Sequence, residues 1–502
     1  MKNLIEVSKI LTKKKVKKIE ILDNASLEAT NSKFGEFYEA LANNKFKNDR
    51  DAASFLYGCS PTHDKYRQLK SRFRKRLLNT LFFIDMNVPG ASGYDRAYFT
   101  CNKDWTLVKI LLANEAHLTA EFLAGQILNM ALKFKFADVI VNCCRILRQF
   151  AAEAGNEADF EEYDRLSKQY SNILEAEIRS EELFQRTMLS YQATTVNMEE
   201  LTEKILFFCD ALVGLSEVYD SPIVSYNMYL VWTYRYEMQR DYAAMLLVCS
   251  QAEQYIEQNP DYLQEDKLVT FHLKKMTAHL HLRDFKNGKG NAEKSLQIFP
   301  EGSPVWFLFM EYYLLLAFHT DNFINGMAIF NRARSNPKFK KLDTESKEKW
   351  NIYEVYLNYF IDQTDQSEEL KAQSKKNFRL SRFLNDPILF PKEQRIFTIH
   401  LVIAQVLFLL DKKVFQDAGE RIDRLKSYAT KQLDHEEHYR VTQFIRLLQQ
   451  LSKAEFKIPT MTGTEKYYNR LVDHPFFYRG LINELEILPF EKLWNHILKK
   501  LQ

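Results

Sequence analysis

The densest run of like charge in the chain lies between Lys65 and Arg76: Lys65, Arg67, Lys70, Arg72, Arg74, Lys75 and Arg76, with no acid among them. Tyr66, Leu69, Phe73 and Leu77 recur at helical spacing through the same stretch, so a helix here would bury that stripe and fan its cations over the remaining surface. Such a helix suits a phosphate backbone, and contacts of that kind carry little sequence specificity. It suits equally an acidic protein surface, a membrane surface or the acidic part of this same chain. A solvated face of a core helix has the same pattern.

Other clusters carry less. His435-Glu436-Glu437-His438 sets two histidines three apart, not the four of the HExxH zinc helix, and no third ligand lies nearby. His279 and His281 are two apart and would face different ways on a helix. Gly288-Lys289-Gly290 lacks the preceding strand and the spacing of a phosphate loop. The six cysteines (Cys59, Cys101, Cys143, Cys144, Cys209 and Cys249) form no CxxC pair and read as free, mostly buried thiols of a reducing compartment. No metal, cofactor or catalytic residue is expected from these patterns, and the protein reads as non-catalytic.

The elements that must position these residues read as helices. The 502 residues hold only 14 Gly and 12 Pro, about 5% together against roughly 12% in average usage, too few punctuators for many short strands. Residues 1–100 carry 19 Lys and Arg against 11 Asp and Glu, while the remainder carries 50 against 55, so the basic charge is concentrated at one end. Residues 1–30, with Lys13, Lys14, Lys15, Lys17 and Lys18, read as a basic arm without the apolar core of a secretory signal. Three helices should follow in a small basic domain over 31–90. The first covers about Lys33–Ala42. The second has Asn48 or Asp49 as N-cap and Gly58 as its stop. The third has Ser60 as N-cap and Pro61 in its first turn and runs to about Asp85. The breakers at Asn87–Gly93 mark a boundary. From about residue 100 to 455 nearly everything reads as paired helices, and 456–502 as a C-terminal cap. That cap ends in a helix whose Phe490, Leu493, Trp494, Ile497, Leu498 and Leu501 form one apolar stripe. The most apolar stretch, Leu401–Leu410, is too short to span a bilayer.

Short turns carrying Asp and then an aromatic recur: Arg240-Asp241-Tyr242, Arg283-Asp284-Phe285, Thr320-Asp321-Asn322-Phe323 and, more loosely, Asp411-Lys412-Lys413-Val414-Phe415. From Phe285, small residues or Pro follow at Gly288, Ser295 and Pro300. From Phe323 they follow at Gly326, Ala333 and Pro337, and from Tyr242 the corresponding positions are Met245, Ala252 and Pro260. This pattern, over about 240–340, resembles the tetratricopeptide repeat family, in which small residues let the second helix of each hairpin approach its neighbours. The spacing between turns is longer than that family's repeat of about 34 residues, and Met276 and Leu314 stand where it has a small residue in the first helix.

The expected fold is therefore all-α: a curved, right-handed, tetratricopeptide-like solenoid behind a small basic helical domain, with a C-terminal capping helix. The resemblance implies a scaffold or adaptor, placed in the cytoplasm, that binds a protein or peptide. Aromatics crowd Val305–Phe318, and of these Trp306, Tyr312 and Tyr313 are candidates for lining a peptide groove. The alternative is a regulator whose basic helix touches nucleic acid while the solenoid holds a protein or peptide.

Overall fold

A computed structural model describes residues 33–43, 45–46, 48–80, 93–192, 198–262, 265–363, 378–385, 395–433, 438–480 and 484–502. The basic arm over 1–30, the boundary at Asn87–Gly93 except Gly93 itself, and His435 lie outside the described residues. Among the described residues there are twenty-one α-helices and no strand. No helix there is long and apolar enough to cross a membrane. The chain packs as two compact units, residues 1–175 and 176–502.

The first unit holds α1 (Lys33–Ala42), α2 (Asp49–Tyr57), α3 (Asp64–Thr80), α4 (Gly93–Ala113), α5 (His117–Phe134), α6 (Ala137–Glu153) and the start of α7 (Glu157–Gln192). Asn48 caps α2 by accepting from Asp51 N–H, and Gly58 ends it at φ 61°, as the sequence predicts. The start of α3 differs from expectation. Ser60 Oγ bonds the Thr62 hydroxyl at 2.9 Å instead of capping a helix, and residues 60–63 form a turn. His63 Nδ1 then accepts from Lys65 N–H at 3.2 Å, and the helix begins at Asp64, three residues later than its Ser-Pro signature suggests. Phe37, Phe46, Ala53, Leu56, Tyr66, Phe73 and Leu77 close the core of α1–α3. A separate core under α4–α6 takes in Cys101, Cys143 and Cys144, and burial pushes the Cys101 and Cys144 thiols up to about 11. At such values they are inert packing groups.

The second unit continues α7 and adds α8 (Met198–Val218), α9 (Pro222–Gln239), α10 (Tyr242–Gln258), α11 (Glu265–Leu282), α12 (Phe285–Ile298), α13 (Pro304–His319), α14 (Phe323–Ser335), α15 (Thr344–Asp362), α16 (Leu380–Asn385), α17 (Arg395–Asp411), α18 (Phe415–Gln432), α19 (Tyr439–Lys453), α20 (Glu465–Asp473) and α21 (Phe490–Leu501). Consecutive helices pack on one another, and the first helices also pack on each other, α11 on α13 and α15 on α17.

One turn geometry joins most hairpins. Arg240, Arg283, Asp321 and Lys413 each take left-handed φ of 53–59°. The next N–H then reaches back five residues: Asp241 to Tyr236 O, Asp284 to His279 O, Asn322 to Ala317 O and Val414 to Leu409 O, at 2.8–3.0 Å. That is the Schellman helix end, and it recurs at Glu115, Lys135, Gly155 and Glu455. Asp241 and Asp284 then cap the following helix by accepting from Ala244 and Asn287 N–H. In these two turns the Asp is a cap, whereas Asp321 is itself the left-handed residue and Asn322 after it makes no side-chain cap; the aromatic is a spacer in all three. Tyr242 stacks on His281, Phe285 lies on Tyr313 and Phe323 stacks on Phe360, in each case a ring of the next first helix. Gly288 is required for close approach, because a Cβ there would sit 2.4 Å from Leu316 Cδ2 and 3.0 Å from His279 Cβ. Gly290, assigned with it to a small packing face, instead borders open space.

Candidate functional sites

The predicted basic helix is α3. Lys65, Arg67, Arg72, Arg74 and Lys75 are exposed, and Lys70 and Arg76 are half-buried. Lys70 is spent on Asp49 at 2.7 Å, a carboxylate that also accepts from Tyr66 Oη at 2.7 Å. Arg76 lies 5.1 Å from the Phe34 ring, and Arg67 is 3.6 Å from Asp64. Lys65, Arg72 and Lys75 fall at intervals of seven and three along α3 and so share one face, while Arg74 lies with Arg67 on the other flank of the buried stripe. None of these four has an acid within ion-pair distance among the described residues.

The groove aromatics are a correction. Trp306 is 0% exposed, Tyr313 3% and Tyr312 6%. Trp306 meets its neighbour Phe307 edge-on at 5.1 Å and lies under Arg332 of α14, and Tyr313 lies under Phe285 of the preceding hairpin, so both are packing residues. Tyr312 does face the side built by the first helices, but the chain covers it with its own C-terminal segment. The Tyr478 ring lies 5.7 Å from that of Tyr312, and a Cβ at Gly480, whose φ is +91°, would sit 2.9 Å from Tyr312 Oη. No free groove is left at these three residues.

That C-terminal segment is fixed by side chains of several helices. His319 Nε2 donates to Glu486 O and His400 Nε2 donates to Leu485 O, both at 2.8 Å. His281 Nε2 lies 3.4 Å from both the N–H and the carbonyl of Tyr478. Burial holds these imidazoles neutral, with His281 and His400 pushed down to about 4 and His319 to about 3. Arg440, at the start of α19, clamps both carboxylate oxygens of Glu486 at 2.5 and 3.0 Å, reaches Glu491 at 2.8 Å, and donates to the carbonyls of Leu471 and His474. Arg479 pairs with Glu484 and donates to Tyr191 O at 2.8 Å. Burial raises Glu484 and Glu486 above the ordinary carboxylate value, in spite of these arginines. α21 buries Phe490, Leu493, Trp494 and Ile497, as its stripe predicts. It does more than cap the last hairpin, because Lys492 reaches Asp321 at 2.6 Å and His496 reaches Tyr359 at 3.0 Å.

An open cleft of about 580 Å³ lies on α8–α10, lined by Met228, Tyr229, Trp232, Tyr236, Tyr255 and three glutamines, Gln251, Gln254 and Gln258, among others. Arg235 lies over Trp232 at 4.8 Å and over Tyr236 at 5.3 Å, and its buried Nε has no hydrogen-bond partner among the described residues. The helices on either side, α8 and α10, expose Phe207 (64%) and Leu247 (68%). Sequence reasoning missed this cleft, although Tyr229, Trp232, Tyr236 and the flanking glutamines are an uncommon run of aromatic and amide groups for one hairpin.

Ser295, His272 and Glu253 have the residue types of a hydrolytic triad. Ser295 Oγ is 2.7 Å from His272 Nδ1, and His272 Nε2 is 3.6 Å from Glu253 Oε1. All three are buried, Ser295 also bonds Asn291 O, and none lines a described cavity. The arrangement is a buried core network without access for a substrate, and Glu253 Oε1 has no hydrogen-bond partner among the described residues. His279 and His281 do face different partners, Asp284 and Tyr478. No group of three metal-binding side chains occurs among the described residues. Compared with models of known families, with curated proteins and with solved structures, the chain matches none.

Proposed function

We propose that the protein is a non-catalytic interaction scaffold, a divergent tetratricopeptide-like array whose open docking surface is the aromatic cleft on α8–α10, the face of the first helices being covered at Tyr312 by the chain's own C-terminal segment. The observation that carries this reading is the cleft itself: an open recess walled by Trp232, Tyr229, Tyr236 and Tyr255, with the unpartnered Arg235 Nε against its rings. Tyr, Trp and Arg dominate interface energetics because they combine large apolar area with a polar end. A tagged chain carrying Trp232→Ala and Tyr255→Ala should keep its helical content and lose the partner that the unaltered chain retains from its native host. Equal recovery by both chains would overturn the reading.

A second reading rests on α3, where Lys65, Arg72, Arg74 and Lys75 are exposed without ion pairs among the described residues. It assigns the exposed cations of this helix to nucleic acid, bound through phosphates. Affinity should fall linearly on a log–log plot against salt and be lost when Arg72, Arg74, Lys75 and Arg76 become Glu. Binding that is absent at low salt, or insensitive to salt, removes it.

A further inference from the structure

Between α20 and α21 the described backbone forms neither α-helix nor strand, yet it is buried at Tyr478 and from Leu485 to Phe490. A buried irregular backbone must find its hydrogen bonds in side chains. Here two residues from separate helices supply them, His319 of α13 to Glu486 O and His400 of α17 to Leu485 O, while Arg440 and Arg240 hold the exposed carbonyls of His474 and Pro475 that precede the buried stretch. Leu485, Ile487 and Leu488 enter the core, while the Glu486 carboxylate is held two-pronged by Arg440. Main-chain carbonyls read by fixed donors, apolar anchors and one clamped acid are how an extended peptide is recognised. Nothing in the arrangement depends on the segment belonging to the same molecule.

We propose that the first-helix face of the array is a binding site for an extended peptide of alternating acidic and aliphatic residues, occupied here in cis by Glu484–Phe490 and able to take the same segment from a second copy of this chain. The site reads the backbone through His319 and His400 and reads one carboxylate through Arg440. This peptide face lies on different residues from the α8–α10 cleft, so the two sites are independent.

The test uses the full chain with a site-specific protease sequence inserted after Gly463, an exposed turn at φ +71° with open space around it. The chain folds intact and is then cut. A fluorescent peptide of residues 465–502 is added and followed by anisotropy and gel filtration. The cut chain should elute as one body, then exchange its segment for the labelled peptide, saturably and one per chain. The uncut chain should take up none. Glu486→Gln in the peptide, or Arg440→Ala in the chain, should weaken uptake at least tenfold, whereas Trp232→Ala should leave it unchanged. Equal uptake by the uncut chain would place the binding elsewhere. No uptake in days at large excess, or loss of the helical signal when the segment leaves, would show the segment to be part of the fold and overturn the proposal.

Discussion

Lowering the pH from 8 to 5 should loosen the C-terminal segment, and the structure gives the size of the effect. His281 and His400 sit near 4 and His319 near 3 in the folded chain, against about 6.5 when unfolded, chiefly because burial disfavours the imidazolium. A histidine whose folded value is depressed contributes stability that is fully present above about 6.5 and is lost as pH falls below it. At pH 5 each of the three has lost about 2 kcal/mol, and together about 6 kcal/mol. The neighbouring charges do not rescue them: Arg240 faces His281, and Arg283 and Lys492 face His319. Glu484 and Glu486 act in the other direction. Their folded values are raised, so protonation on approach to the carboxylate range favours the folded state and offsets part of the loss. The double variant His319→Gln and His400→Gln keeps an N–H donor at both places and cannot titrate, and it leaves both glutamates as they were. Local opening of the segment is read by hydrogen exchange and mass spectrometry on the peptide spanning 484–490, at pH 8 and at pH 5 after correction for the intrinsic rates. Because the glutamate offset is common to both, the native chain should lose about 4 kcal/mol more protection than the variant. A native chain whose protection is unchanged at pH 5, or a variant that loses as much as the native chain, would refute the assignment of neutral histidines to this seam.

Three further outcomes follow from the packing. Gly288→Ala forces Leu316 and His279 aside and should destabilise by about 1–3 kcal/mol, while Gly290→Ala, in open space on the same helix, should stabilise by about 0.5–1 kcal/mol; thermal melts of the two variants separate the roles. Arg440→Ala leaves the buried Glu486 carboxylate uncompensated and should lower stability by about 3–5 kcal/mol in urea titrations, more than Lys70→Ala at the half-exposed Asp49 pair, where about 1 kcal/mol or less is expected. Cys143 is wholly buried with its thiol held well above the ordinary value, so alkylating reagents should modify Cys59, the half-buried thiol, far sooner in the folded chain.

Helix positions were largely legible in the sequence, because caps and 3.6-residue periodicity are local signals. Asn48, Gly58 and the apolar stripe of α21 act as their types require. The start of α3 was misread for a local reason too: Ser60 has a second hydroxyl, Thr62, within reach, and that bond competes with capping. The repeated Asp-aromatic turn was legible as a repeat. Its left-handed residue was not, since Arg240, Arg283 and Lys413 carry no glycine to announce it. The functional surfaces were the least legible. An exposed aromatic and a packed one look alike along the chain, and whether Tyr312 is open depends on Tyr478 and Gly480, more than 160 residues away. One trace of that contact was present: Glu484-Leu485-Glu486-Ile487 alternates with the period of extended chain at the point where the helical pattern stops.

The covered face changes what the repeat architecture implies. An array of hairpins offers its first helices as one continuous surface, and a large α13 ring such as Tyr312 would ordinarily supply binding area there. In this chain that area is already spent on Tyr478, Leu485, Ile487 and Phe490, together with the clamped Glu486. Fully burying each of those four apolar side chains is worth about 1.5–3 kcal/mol. A competing peptide must match that sum before gaining anything, and the resident segment, tethered to the array, holds an effective concentration in the millimolar range. On the scaffold reading proposed above, a partner at ordinary concentrations would meet the α8–α10 cleft first, which the half-buried Trp232 and Tyr255 line. Access to the first-helix face instead depends on what weakens the hold of His319, His400 and Arg440.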